Sequence, residues 1–181
     1  MQFVTLFKRI ATVLVLGASL AAPAQAQTPR RPTSPDDAAR IAQLAIAADK
    51  DPVGVMNSPD GRWFQKWAEE APDYQMGPDK GVFWVATSGA AKADLKRVLR
   101  FHHTVSTAAY QIEHHILDPY GNEAQMEART LAGIEGLLRA YESLVAQREE
   151  NRSPQMDEAL ALRQSGRLAA FVKALPAMPS R

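Results

Sequence analysis

The stretch QIEHHILDPYGN, Gln111 to Asn122, sets His114 and His115 side by side between Glu113 and Asp118. Imidazole nitrogens and carboxylate oxygens are ligands for zinc or copper, and on a helix residues three or four apart share a face. His114 and Asp118 have the spacing of four, and His115 and Asp118 the spacing of three. The other histidines, His102 and His103, lie upstream, so all four imidazoles of the chain fall in one segment, 102–118. Helical rise separates His103 from His114 by about 16 Å, so the two cannot share an ion. A third ligand would come from the next helix, where Glu123 and Glu127 are nearest in sequence.

Three chemistries fit the segment. One is weak zinc or copper binding by His114, His115 and Asp118. A second is pH sensing, since imidazoles titrate near 6.5 and gather positive charge close to Lys96, Arg97 and Arg100. The third is no chemistry at all: a solvated helical face with Asp118 before a proline stop. Neither G-x-S-x-G nor H-E-x-x-H supplies a nucleophile or a metal-bound water, so no catalytic residue is assigned and the chain is not expected to be an enzyme. QIEHHILD resembles the third histidine box of membrane fatty-acid desaturases at Gln111, His114 and His115. That family holds two irons with several such boxes between membrane spans. One box-like string of eight residues carries none of that over.

A second partial pattern is acidic. DKDPVGVMNSPD places Asp49, Asp51, Gly54 and Asp60 at positions 1, 3, 6 and 12 of an EF-hand-like loop, with Met56 hydrophobic at position 8. Val53 stands where a liganding Asp or Asn belongs, and Asp60 is shorter than the usual glutamate. The string therefore reads as a polar turn between helices, with Ser58 capping the next one.

Aromatic residues offer a surface for a partner. Trp63 and Trp67 lie in WFQKW, and Tyr74 and Trp84 in the proline- and glycine-rich stretch that follows. Such side chains near a long loop are material for a binding surface and equally for core packing. They are the expected contact surface for a periplasmic protein or small molecule. No cofactor beyond weak zinc or copper is implied.

The N-terminus says where the chain works. Residues 1–26 carry Lys8 and Arg9 but no acidic residue, then the apolar run IATVLVLGASLAA, then Ala24-Gln25-Ala26. That pattern predicts a Sec signal peptide, hence a periplasmic or secreted protein with no membrane insertion after cleavage. Removing it takes away two of the 21 basic residues and none of the 20 acidic ones, which leaves the charge near neutral. Nucleic acid is not an expected partner, because only KRVLR at Lys96 to Arg100 concentrates positive charge. The absence of cysteine excludes disulfides and thiolate metal sites.

These residues must be positioned by helices. Residues 27–33 read as a flexible leader, 34–176 as a single helical domain and 177–181 as a tail. Ser34-Pro35, Ser58-Pro59 and Ser153-Pro154 are N-cap and first-turn pairs that start helices. The first runs to about Asp49 with Ile41, Leu44, Ala45 and Ala48 on one face; the second carries the WFQKW aromatics and stops at Pro72. From about Ala90 to Leu117 a stripe of Leu95, Val98, Leu99, Phe101, Val105, Ala109, Ile112 and Ile116 predicts the long central helix, with His103 and His114 opposite the stripe. Asn122 caps the next, and the last runs from Pro154 to about Leu175. VFWVAT, 82–87, suits either a strand or the lead-in of a helix. The expectation is an all-α domain, a helical bundle of four to five helices with proline-marked corners.

Overall fold

The structure is a computed structural model that describes residues 32–71, 73–76 and 93–175. The expected signal peptide, Trp84, the ambiguous 82–87 and the tail lie outside the described residues. All regular secondary structure among the described residues is helical, and none of these helices is long and apolar enough to cross a membrane.

Among the described residues seven α-helices stand where four to five were expected: α1 Pro35–Lys50, α2 Pro52–Asn57, α3 Pro59–Glu70, α4 Ala93–Glu113, α5 Glu123–Gln147, α6 Pro154–Gln164 and α7 Leu168–Ala174. Two of these come from breaks that the sequence analysis did not foresee. The acidic string is no loop, because Asp51 caps α2: its carboxylate accepts from the Gly54 amide at 3.0 Å, and Pro52 occupies the first turn. The final helix is split at Gly166, which has φ 71°. There the Gly166 amide donates to Arg163 O and the Arg167 amide to Leu162 O, the paired bonds that close a helix C-terminus around a left-handed residue.

The cap-then-proline grammar otherwise works as expected. Ser34 forms a full capping box with Asp37, and Ser58 accepts from the Gly61 amide at 3.0 Å. Ser153 starts α6 by another route. Its hydroxyl makes no cap, and its amide donates at 2.7 Å to the Tyr141 hydroxyl, which donates in turn to Asp157 at 2.9 Å. Thr33, the last residue of the expected leader, is tied to Asp73 by its amide and its hydroxyl.

Helix α4 lies at the centre. It packs most extensively on α5 and also on α1 and α2, while α6 and α7 cover the far side of α5. Leu95, Val98, Leu99, Phe101 and Val105 of its expected stripe are buried, as are Ile41, Leu44 and Ala48 of α1 and Ile134, Leu137, Leu138, Tyr141 and Leu144 of α5. Phe64 anchors α3, buried with its ring 5.7 Å from Phe101 in a T-shaped contact.

Candidate functional site

The histidine segment divides into two unlike halves. His102 and His103 are buried at 0% and 8% exposure, which corrects the expected place of His103 on the solvated side opposite the apolar stripe. The polar side of α4 is covered too: His103, Ser106 and Thr107 face Gly133 and Gly136 on α5, and His102 meets α2. His102 Nε2 lies 3.4 Å from the Pro52 carbonyl, and burial lowers its pKa. Burial, reinforced by the Arg129 guanidinium, lowers the His103 pKa to about 4.

His114 and His115 are exposed and are not helical. The central helix ends at Glu113, four residues short of its expected end, although Pro119 comes later. His115 has φ 52°, its amide donates to Ile112 O, and the Ile116 amide donates to Gln111 O at 2.9 Å. This is the same C-terminal closure as at Gly166, built here around an imidazole-bearing residue. Gln111 locks it, with its buried side-chain amide donating to Ile116 O at 3.1 Å. The helical spacing that would aim His114 and His115 at Asp118 is therefore absent. The His114 ring sits 4.2 Å from the Tyr110 ring, and Asp118 accepts from the Tyr120 amide at 3.1 Å. Among the described residues no three His, Asp or Glu side chains converge as a metal site would require.

A left-handed backbone strains any residue but glycine. His115→Gly is expected to raise stability by about 1 kcal/mol, the relief of that strain less the entropy that glycine adds to the unfolded chain. Urea unfolding of the two proteins measures it; a loss of stability would show that the His115 imidazole contributes more than its backbone costs.

The acidic string also disperses. Asp49 pairs with Arg139 on α5 at 2.7 Å, Asp51 caps α2, and Asp60 pairs with Arg40 on α1. Three carboxylates with three separate partners form no cation cage.

The aromatic surface is largely engaged in packing. Trp63 lies under the Arg40 guanidinium, 3.9 Å from ring to carbon, and Trp67 stacks on Phe64 at 5.7 Å with Tyr74 6.5 Å beyond. All three are partly buried, and burial raises the pKa of the Tyr74 hydroxyl. Trp63 ties α3 to α1, Trp67 and Tyr74 extend the cluster from Phe64, and each ring keeps part of its surface exposed.

Two features went unseen in the sequence. The first is a polar seam between α4 and α5, where Ser106, Thr107 and His103 face Gly133 and Gly136, with Arg129 completely buried beside them. Its only sequence signal is small residues at spacings of three and four along α5: Thr130, Gly133, Gly136 and Ala140. The side chains of His103, Ser106 and Thr107 come within overlap distance of any Cβ placed on Gly133 or Gly136, so the two helices are in close contact there.

The second is a half-open groove of about 460 Å³ where α2, the start of α4 and the end of α5 meet. Met56, Leu95, Val98 and Leu144 form its floor, and the exposed Val53 one wall. Arg97, Arg148, Gln147 and Asn151 complete the lining. The volume lies within the range of small-molecule sites. Elements distant in sequence build it, which is why no local motif announced it.

What the described residues define is an all-helical fold with a buried polar seam and an end-on groove. Compared with known families, curated proteins and solved structures, the chain matches none of them.

Proposed function

We propose that this chain is an exported, non-enzymatic helical-bundle protein that binds a small ligand, and that the groove between α2, α4 and α5 is its site. The groove carries the reading: a concave opening of about 460 Å³ in which an apolar floor meets an equally prominent polar edge of Arg97, Gln147, Arg148 and Asn151. The N-terminal pattern of Lys8-Arg9, apolar run and Ala24-Gln25-Ala26 supports export to the periplasm or beyond. The partly exposed Trp63, Trp67 and Tyr74 lie on α3 and the segment after it, and offer a second, shallower surface for a periplasmic partner.

The test is native mass spectrometry of the protein purified from the compartment to which it is exported, beside the variant Val53→Trp. Val53 is 41% exposed on the rim, so the indole fills the groove without entering the core. A small-molecule adduct on the wild type that is lost from Val53→Trp is the expected result. An adduct that persists unchanged in the variant, or none on either protein, counts against the groove.

A second reading, response to external pH through the imidazoles of 102–118, draws on a separate observation. His102 and His103 are buried and held in the neutral form. Its measurable consequence is an acid-labile fold.

A further inference from the structure

The groove has a one-sided charge. In a chain with 21 basic and 20 acidic residues, its lining includes two guanidinium groups, Arg97 and Arg148, and no carboxylate. Arg148 has only a loose partner, Glu150 at 3.7 Å, and both side chains are mostly exposed, a geometry of little energetic worth. Arg97 has no carboxylate within ion-pair distance among the described residues, nor do its neighbours Lys96 and Arg100. Lys96 and Arg97 stand four and three residues before Arg100 on α4, spacings at which like charges on a helix repel. That repulsion is relieved by an anion.

One element acts the other way, because the C-terminal carbonyls of α5 border the same groove. The innermost of them is already occupied: Leu144 O accepts from the Arg148 amide at 3.0 Å and from Asn151 Nδ2 at 2.9 Å. The balance at the rim remains positive, above a floor that is apolar.

Resting on the reading of the groove as a binding site, we infer that its ligand is a small amphiphilic anion, a free carboxylate on an apolar tail, with the head group between Arg97 and Arg148 and the tail along Val53, Met56 and Val98. Charge-assisted bonds from guanidinium to carboxylate orient the head, and the apolar floor distinguishes this ligand from a bare ion.

Calorimetry with decanoate, decanol and decyltrimethylammonium, on wild type and on the double variant Arg97→Gln, Arg148→Gln, tests the inference. The substituted side chains are exposed, and a thermal melt confirms that the variant folds. One decanoate per chain is expected, with affinity about tenfold weaker in the double variant and weakened again by added salt. Decanol should bind at least about tenfold more weakly than decanoate, the cation not measurably, and acetate should not compete. Decanol binding as tightly as decanoate, or decanoate binding indifferent to both arginine changes, overturns the anion while leaving the groove as a ligand site. Retention on phosphatidylglycerol vesicles without binding of free decanoate also overturns it, in favour of a lipid surface. If no amphiphile binds, but an adduct sensitive to Val53→Trp is present on the purified protein, the chemical class is wrong and the site is right. If both are missing, the inference and the reading beneath it fall together.

Discussion

Gly136→Ala is expected to destabilise the protein by about 2 kcal/mol. A Cβ built on Gly136 would overlap both Oγ and Cβ of Ser106 on α4. Rotation moves the hydroxyl away, but the Ser106 Cβ is fixed to the backbone, so α4 and α5 must separate along their largest interface. Overpacking of this kind costs about 1–3 kcal/mol or more, and the better helix propensity of alanine returns about 1 kcal/mol. Gly133 tells the same story one turn earlier: its Cβ would lie 2.7 Å from His103 Nε2 and closer still to Thr107 Oγ1. Urea unfolding of Gly136→Ala, Ser106→Gly and the double variant measures the effect as a cycle. The close approach predicts that the double variant is more stable than the sum of the two single losses. Strict additivity would mean that the helices are not held apart by this pair.

Acid should weaken the fold through His103. The group is buried, with a pKa of about 4 when folded and about 6.5 when unfolded. Between those values the unfolded chain binds a proton that the folded one does not, so stability rises with pH across the window. The contribution is fully present above about pH 6.5 and is lost as pH falls towards 4, amounting to about 3 kcal/mol at the lower end. His102, lowered by the same burial, adds in the same direction; the Pro52 carbonyl and Asp49 soften its shift, and Arg139 strengthens it. His103→Gln is neutral throughout and isolates the effect. Unfolding free energies at pH 7, 5.5 and 4 should fall more steeply for wild type than for the variant, by about 3 kcal/mol over the range. Parallel curves would show that the imidazole is protonated in the folded protein and that Arg129 does not oppose it. A steep difference would give the pH-sensing reading its physical basis; the groove is tested separately, by the Val53→Trp variant.

Much of this was legible in the chain itself. Ser34, Ser58 and Asn122 cap the helices that the sequence assigned to them, and the apolar faces of α1, α4 and α5 are buried where periodicity placed them. Caps, proline stops and hydrophobic stripes act within about four residues, so adjacent residues decide them. The Asp51-Pro52 start of α2 used the same grammar, and was obscured by the resemblance of its carboxylates to a calcium loop. Gly166 was a glycine inside a helical pattern, a position where the chain either tolerates a poor helix former or turns left-handed. The split at Gly166 makes the second choice plain.

The polar face of α4 was beyond such reasoning. A wheel drawn through His103, Thr107 and Tyr110 shows a polar side, and a polar side normally meets water. Here it meets glycines on α5, and the missing side chains of Gly133 and Gly136 let two helices close over hydroxyls and an imidazole. Likewise, Lys96, Arg97 and Arg100 form only a short basic run until Arg148 arrives across the groove from the end of α5. Sequence by itself determined which segments are helical and where most of them begin, because those choices are local. Tertiary structure alone decided which polar residues are buried and which cations gather, because burial and charge density depend on what a distant helix places opposite them.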